Sequence, residues 1–222
     1  MLCCANAGCW LAKKTAHVNH LDPWRTMSID SIFQSFPQLK TKRLILRRMQ
    51  VTDSDAIFRI LSDHQVTRYY DDATFTDISQ ARDQIEAWER GFINNRCIRW
   101  GIANNTDGAI IGSCGYYGIH QWHRRASIGY ELARSAWRMG IMTEALAAMI
   151  DFGFKEMDLN RIEAVVMPQN TASIKLLEKL GFRNEGLLEE YENWDSKGFT
   201  DLCMFALLRK TWVKVSSEMK TS

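Results

Sequence analysis

Short apolar segments and turn residues predict a run of strands in the first two thirds of the chain. Four segments are rich in β-compatible apolar residues, as is typical of strands: 42–49, 99–103, 109–117 and 126–133. The stretch Asn104-Asn105-Thr106-Asp107-Gly108 lies between the second and the third of them and contains the Asn, Asp and Gly residues that favour a tight reversal. We therefore expect an antiparallel meander over residues 99–133.

Four further segments are predicted to be helices, from apolar residues at helical spacing or from a capping residue at their start: 52–61, 77–92, 142–157 and 170–180. Thr52 and Asn170 each carry a side-chain oxygen that can accept hydrogen bonds from the first helical turn. Alternating positions predict one more strand over 161–167, and two last strands are predicted over 182–191 and 200–208 with a turn over 193–198.

The order of these elements indicates the fold class. A strand, the long helix and a further strand follow one another over residues 126–167, and a right-handed crossover leaves such strands side by side and parallel. The expected fold is one α/β domain: a mixed, mostly antiparallel, twisted sheet of about seven strands with helices on both faces. We expect this domain over residues 36–213, between a loosely ordered N-terminal extension at 1–35 and a C-terminal tail at 214–222.

Composition and charge exclude several classes of protein. The chain of 222 residues is 46% hydrophobic and 24% charged with only 3 prolines, so collagen-like and wholly disordered chains are excluded. The formal net charge is +2 and the basic residues are scattered, so we expect no direct contact with nucleic acid. No apolar run approaches the roughly 20 residues that span a bilayer, so we expect no membrane association.

The cysteines indicate a reducing environment. All 6 are irregularly spaced, without a C-x-x-C pair, and this predicts reduced thiols and a cytoplasmic location. Cys3, Cys4 and Cys9 are followed by His17 and His20, a set of residue types that can ligate a metal. Structural zinc sites have tighter, paired spacing, so we expect no metal.

The sharpest candidate for ligand binding is the turn Trp137-Arg138-Met139-Gly140-Ile141-Met142-Thr143, which joins a predicted strand to the long helix. A glycine there lets the backbone approach a ligand, and the N–H groups of the first helical turn favour an anion such as phosphate. An ordinary strand-to-helix turn explains a single glycine equally well. The nucleotide-binding patterns G-x-G-x-x-G and G-x-x-x-x-G-K-[ST] are not found in the sequence.

Three blocks of sequence together resemble one protein family. They read IGYELARSAWRMGIMTEAL, LNRIEAVVMPQNTASIKLLEKLGFRNEGLL and EYENWDSKGFTDLCMFALL. In this order and spacing they are similar to the GCN5-related N-acetyltransferase (GNAT) superfamily, and most of all to its ribosomal-protein alanine and serine N-terminal acetyltransferases. The resemblance runs from about Leu39 to Trp212 and implies a GNAT fold, in which two central strands splay apart to admit a ligand.

The resemblance implies that acetyl-coenzyme A (acetyl-CoA) is the acyl donor. Its pyrophosphate would lie on backbone amides of the turn around Gly140, and its pantetheine arm along the strand 128–132. The residues implied to bind it are Tyr130, Leu132, Arg138, Met139, Gly140, Ile141, Met142, Thr143, Asn170 and Ser173. Met142 stands where the family pattern has a small residue, and a side chain of this size could narrow the approach of the phosphates.

Catalytic roles follow from the same resemblance. Ser173 would lie near the thioester sulfur as the candidate acid for the leaving thiolate, because Leu177 stands where many members have a tyrosine for this purpose. Glu192 matches a glutamate proposed to act as a base through water, and Glu131 is a second candidate base. Both carboxylates have simpler explanations, since an acidic run such as 189–192 is typical of a solvated strand face and Glu131 could face solvent or form a salt bridge.

The expected function is transfer of an acetyl group from acetyl-CoA to a primary amine by direct attack in a ternary complex. The favoured acceptor is a protein N-terminal α-amine. Two alternatives stay open. One is a small-molecule acetyltransferase acting on an amino acid, an antibiotic or a polyamine, the last favoured by an acidic rim of Asp71, Asp72 and Glu192. The other is a non-catalytic module that binds CoA. We expect a monomer or a homodimer.

Overall fold

The computed structural model describes residues 29–71, 73–194 and 197–212. Cys3, Cys4, Cys9, His17 and His20, the predicted tail at 214–222 and Asp72 of the predicted acidic rim all lie outside the described residues.

The predicted strands and helices occur in the predicted order with small changes of bounds, and the structure adds one strand of two residues and two helices of four residues that the sequence did not predict. The strands are β1 (Leu39–Lys40), β2 (Leu44–Arg48), β3 (Ile98–Asn104), β4 (Ile110–His120), β5 (Arg125–Leu132), β6 (Arg161–Val166), β7 (Arg183–Trp194) and β8 (Gly198–Leu208). The helices are α1 (Ile29–Ile32), α2 (Ser54–Leu61), α3 (His64–Thr67), α4 (Ile78–Ile93), α5 (Ile141–Lys155) and α6 (Thr171–Lys179). Strands β4 and β7 each run three residues past the predicted ends at 117 and 191, because hairpin pairing resumes beyond a register shift.

The strands form one mixed sheet of 8 strands in the order β1-β2-β3-β4-β5-β6-β8-β7. Neighbouring strands are antiparallel except β5 and β6, which are parallel and joined through α5. The mixed, mostly antiparallel sheet is confirmed. The count exceeds the expected seven by β1, whose two residues are too few to leave a periodic pattern in the sequence.

The parallel pair opens towards one end. β5 and β6 pair at Arg125 with Arg161, Ala126 with Ile162 and Ser127 with Glu163, and the pairing stops there. Both strands continue, β5 to Leu132 and β6 to Val166. The splayed central pair is therefore present, and we call the space between 128–132 and 164–166 the β5–β6 opening.

Helices cover both faces of the sheet, as predicted. One hydrophobic cluster joins the sheet to α5 and α6, and a second joins it to α2 and α4. Ile102 belongs to the first cluster and Ala103 to the second. Successive residues of a strand point to opposite faces, so the two clusters lie on opposite sides of the sheet. We call them the α5 face and the α4 face.

Packing at the N-terminal side begins ahead of the expected domain boundary at residue 36. Ile32 is buried in the cluster of the α5 face. Phe33 packs against Phe92 with ring centroids 5.2 Å apart, and Phe36 packs against the same ring at 4.9 Å. Ile32 and Phe33 of the predicted extension thus contribute to the core.

Candidate active site

The backbone of β5 presents hydrogen-bonding groups to the β5–β6 opening. Ala133 N donates to Ile111 O at 2.8 Å, so the backbone of Ala133 faces β4. Backbone groups of successive residues in a strand point to opposite sides, so those of Tyr130 and Leu132 face the opening. Trp137 Nε1 donates to Leu132 O at 2.8 Å. Because the Leu132 carbonyl is already used, only its N–H group is left to bind a ligand. Tyr130 offers both its N–H and its carbonyl.

The turn before α5 has the geometry of an anion site. Gly140 has φ 72° and Arg138 has φ 62°, both in the left-handed region. The first intrahelical bond runs from Glu144 N to Gly140 O at 3.1 Å. The N–H groups of Ile141, Met142 and Thr143 come before that bond and have no partner within the helix. Three donors at the positive end of a 15-residue helix fit a pyrophosphate.

The two apolar side chains that follow Gly140 point away from these amides. Ile141 and Met142 are each only 7% exposed and pack into the cluster of the α5 face. The expectation that Met142 narrows the phosphate approach is therefore wrong, because its side chain points into the core. Trp137 and Met139 are exposed beside the turn.

Arg43 braces the turn from the short loop between β1 and β2, and the sequence did not reveal it. Its Nη1 donates to Met139 O at 2.9 Å, and its Nε donates to Glu144 Oε2 at 2.7 Å. Thr41 Oγ1 donates to the other oxygen of Glu144 at 2.6 Å. Partial burial pushes the pKa of Glu144 up, but the hydrogen bonds from Thr41 and Arg43 outweigh it and hold that pKa below its ordinary value. The ionised pair fixes the first turn of α5.

Asn170 and Ser173 lie at the start of α6 beside the opening. Asn170 caps the helix, since Ser173 N donates to Asn170 Oδ1 at 3.2 Å. The Ser173 hydroxyl lies 2.5 Å from the hydroxyl of Tyr130 on β5. Burial raises the pKa of Tyr130 to about 12, so its phenol is neutral at neutral pH. The structure thus brings together two residues that the sequence proposed for separate contacts.

Leu177, which the family resemblance places at the position of a tyrosine, is fully buried in the cluster of the α5 face. Its side chain is apolar and carries no proton. The phenol beside Ser173 comes instead from the neighbouring strand. A tyrosine in an apolar strand pattern gives no local sign of this contact, so the sequence predicts only a backbone role for Tyr130 in ligand binding.

Glu131 is buried in an ion pair on the α4 face, opposite to the side chain of Tyr130. Its carboxylate accepts hydrogen bonds from Arg99 and Ser113, and Tyr70 Oη donates to it at 3.1 Å. The side chain of Glu131 is 2% exposed and that of Arg99 is 9% exposed. Glu131 thus forms the salt bridge that was the simpler explanation of its charge. A carboxylate that already accepts hydrogen bonds from three donors is poorly placed to take a proton from an amine.

Glu192 lies on β7 at the rim of the α4 face and is half-buried. Trp194 Nε1 donates to Glu192 Oε2 at 2.9 Å and holds the carboxylate in place. Tyr117 on β4 lies near it: burial, together with the negative charges of Glu192 and Asp71, raises the pKa of Tyr117 to about 12. Tyr117 pairs with Ser127 across the strands and so points to the same face as Glu131.

Tyr70 and the turn between β7 and β8 meet at this rim. Lys197 Nζ donates to Tyr70 O at 2.5 Å and lies 5.1 Å from the centroid of the Trp194 ring. Tyr70 in turn reaches Glu131 through its hydroxyl. We call the surface formed by Tyr117, Asp71 and Glu192 the acidic mouth. It lies on the α4 face of the opening, and the hydroxyls of Tyr130 and Ser173 lie on the α5 face.

The described residues give little support to a cysteine nucleophile, a metal site or a membrane-spanning helix. Burial raises the pKa of the Cys114 thiol to about 12, so this cysteine is not ionised at neutral pH. In the described ranges, no group of three or more His, Cys, Asp or Glu side chains is placed to hold a metal ion. Among the helices described, none has both the length and the apolar character that crossing a membrane requires.

Comparisons with known proteins agree on one family. The family described as "Acetyltransferase (GNAT) domain" matches residues 43–183. The "Uncharacterized N-acetyltransferase p20" of Bacillus licheniformis is 43% identical over 175 residues, covering 78% of this chain and 97% of the relative.

Two further relatives have more specific names. The "[Ribosomal protein uS5]-alanine N-acetyltransferase" of Escherichia coli (strain K12) is 27% identical over 183 residues, covering 79% of this chain and 92% of the relative. The solved structure of Mycobacterium smegmatis RimJ in complex with CoA-disulfide has a TM-score of 0.72 and 26% identity, and covers 83% of this chain and 95% of that chain. The family match and the 43% identical relative show that this chain belongs to the GNAT family of acetyl-CoA-dependent N-acetyltransferases.

Proposed function

We propose that this protein transfers the acetyl group of acetyl-CoA to a protein N-terminal α-amine by direct attack. The observation that carries the proposal is the arrangement across the β5–β6 opening. Ser173 and Tyr130 offer hydroxyls on the α5 face, and Glu192 offers a carboxylate on the α4 face. When an acyl donor binds in the opening, the hydroxyls lie on its α5-face side and the acceptor amine can approach from the α4-face side.

The residues proposed to hold the donor are those of the turn and of the opening. Acetyl-CoA supplies the acetyl group activated as a thioester. The N–H groups of Ile141, Met142 and Thr143 would bind the pyrophosphate, and the backbone of Tyr130 with the Leu132 N–H would pair with the pantetheine arm. The Asn170 oxygen is occupied in capping α6, so contact with the arm falls to its amide nitrogen.

The acceptor side suits an amine that loses its proton easily. A peptide α-amine has a pKa of about 7.7–8.0, whereas a lysine amine has about 10.4, so the α-amine needs less help from a base near neutral pH. Glu192 is half-buried and anchored by Trp194, and it can accept the proton through one water molecule. Ser173 is the candidate acid: its hydroxyl would donate a hydrogen bond to the leaving sulfur, and a thiolate with an ordinary pKa near 8.5 can leave without full proton transfer from the serine.

The names of the relatives support this class of acceptor. A relative 27% identical over 183 residues is named for the alanine of a ribosomal protein, and a solved structure with 26% identity is RimJ. The free thiols of Cys97, Cys114 and Cys203 support a reducing compartment such as the cytoplasm. A covalent acetyl-cysteine route is disfavoured because the buried Cys114 stays protonated.

A polyamine is the second candidate acceptor. The negative charges of Asp71 and Glu192 act on the same phenol of Tyr117, so the acidic mouth attracts cations. A polyamine carries several positive charges and would gain from both carboxylates, whereas an N-terminal α-amine presents one.

The experiment that separates the acceptors is an acetyl-transfer screen. Purified protein is mixed with acetyl-CoA and with peptides that begin in alanine or serine, the same peptides with a blocked N-terminus, or spermidine, and the released thiol is measured. The proposal expects turnover with the free peptides and none with the blocked ones. Turnover with spermidine alone would overturn the peptide proposal and favour the second candidate.

The role of Glu192 is tested by Glu192→Gln, with Glu189→Gln as the matched control from the same acidic run. The amide still accepts from Trp194, so the local packing is kept. We expect Glu192→Gln to lower kcat/KM roughly 100-fold at neutral pH, with partial recovery at higher pH as the amine loses its proton unaided. Glu189→Gln should stay within about two-fold of wild type. Equal pH profiles for wild type and Glu192→Gln would remove the base.

A further inference from the structure

The hydroxyls of Tyr130 and Ser173 form a pair beside the β5–β6 opening, on the α5 face. Their oxygens are 2.5 Å apart, although the residues lie on β5 and α6, 43 positions apart in the chain. The backbone of Ser173 is fixed by the hydrogen bond from its N–H to Asn170 Oδ1 at 3.2 Å. The ring of Tyr130 packs against the cluster of the α5 face. Both oxygens are therefore held in place by structure on their own side of the opening.

The direction of the hydrogen bond follows from the acidity of the two groups. A phenol is a stronger acid than an aliphatic hydroxyl, and so it is the better donor. Burial raises the pKa of Tyr130 to about 12, so the phenol keeps its proton at neutral pH. Tyr130 therefore donates and the Ser173 oxygen accepts. An isolated serine hydroxyl rotates freely, but here one of its lone pairs is used, which restricts the direction of its own hydrogen.

We propose that Tyr130 is a positioning residue that acts through Ser173 and aims the Ser173 hydrogen at the leaving sulfur. This inference rests on the proposed function. In the transfer step the bond from the amine nitrogen to the acetyl carbon forms and the carbon–sulfur bond breaks. The electron pair of that bond goes to sulfur, where the Ser173 hydroxyl donates a hydrogen bond to the growing negative charge. The thiolate, with an ordinary pKa near 8.5, then takes its proton from solvent.

Two matched substitutions separate a positioning role from simple packing. Tyr130→Phe keeps the ring and removes the donor. Tyr116→Phe is the control: Tyr116 lies on the neighbouring strand β4, is also buried, and its hydroxyl donates to Met149 O at 2.9 Å, away from the opening. Both variants lose one buried hydrogen bond, so both are expected to lose stability. Only Tyr130→Phe should alter the chemistry at sulfur.

The first readout needs no acceptor. The ultraviolet absorbance of thiolate gives the pKa of the CoA thiol while CoA is bound to the protein. We expect Ser173→Ala to raise this pKa by about one unit, because a hydrogen bond to a charged sulfur is lost. Tyr130→Phe should raise it in the same direction, and the double variant should raise it no further than Ser173→Ala. Tyr116→Phe should leave it unchanged.

The second readout is turnover with the acceptor found in the screen. Ser173→Ala and Tyr130→Phe should each lower kcat by roughly three- to ten-fold, with KM for acetyl-CoA within about two-fold, and their effects should not multiply in the double variant. Ser173→Thr keeps a hydroxyl and should recover part of the loss.

The proposal is overturned if Tyr130→Phe binds CoA with an unchanged thiol pKa, or if its effect on kcat multiplies with that of Ser173→Ala. Failure of the proposed function would give a different result in the same assays. In that case the wild-type protein itself would bind no CoA or transfer no acetyl group to an amine.

Discussion

Gly140 is the position at which a single substitution separates ligand binding from stability. Its φ of 72° lies in the left-handed region, where a β-branched residue is strained. A Cβ atom at Gly140 would come no closer than 3.6 Å to Arg43 Nη2, which is an ordinary contact. The cost of Gly140→Val therefore lies in the backbone and is about 1–3 kcal/mol.

The turn can release that strain only by changing the φ of residue 140, and this would turn the N–H groups of Ile141, Met142 and Thr143 away from the pyrophosphate. A hydrogen bond to a charged group contributes about 1.5–3 kcal/mol, so losing one should weaken CoA binding roughly 10- to 100-fold. Thermal unfolding should shift down by about 2–4 °C for each kcal/mol of strain that remains.

Gly108 provides the matched control. It has φ 71°, almost the same as Gly140, and a Cβ there would meet nothing within 4 Å. It lies in the turn between β3 and β4, so Gly108→Val introduces a similar backbone strain at a position where the added Cβ contacts no residue of the proposed site. Titration calorimetry with CoA and thermal unfolding should show a similar loss of stability in both variants and weaker CoA binding in Gly140→Val alone. Equal CoA affinity in all three proteins would refute the assignment of the turn.

Two predictions concern the groups that support the site. Hydrogen bonds from Thr41 and Arg43 hold the pKa of Glu144 below its ordinary value of 4.5, so its stabilising effect is present above that value and is lost as pH falls through the lower folded-state pKa. In urea unfolding, Glu144→Gln should have a free energy of unfolding about 1 kcal/mol below that of the wild type at pH 7, and this difference should vanish in acid. A difference that does not depend on pH would contradict this. Arg99→Met leaves Glu131 charged and buried and should lose about 3–5 kcal/mol in the same assay, whereas Arg48→Met, which breaks the exposed pair with Glu89, should lose about 1 kcal/mol or less. Equal losses would show that burial of the Arg99 pair has no energetic consequence.

The sequence predicted the parts of the fold that leave a periodic pattern. The helices α4 and α5 and the strands of the meander carry apolar residues at regular spacing, and a strand–helix–strand order implies a parallel pair. The splay between β5 and β6 was expected only from the family resemblance. It begins beyond Ser127 and Glu163, two residues 36 positions apart in the chain, and no local sequence pattern shows where their strands stop pairing.

Contacts between distant side chains account for most of what the sequence did not reveal. Arg43 and Glu144 are 101 positions apart, and each is an ordinary charged residue in its own segment. Glu131 is charged within a strand pattern, and only the approach of Arg99 from β3 explains its burial. Met142 was expected at the phosphates because the turn could be aligned with the family pattern, but the direction of its side chain is decided by the packing of α5 against the sheet.

The central claim is that the turn at Gly140 and the β5–β6 opening together hold acetyl-CoA. A crystal structure of the protein with CoA tests it most directly. We expect the pyrophosphate within hydrogen-bonding distance of the N–H groups of residues 141–143, and the thiol in the opening near Ser173. A pyrophosphate bound elsewhere, or a thiol that lies outside the opening, would contradict the claim.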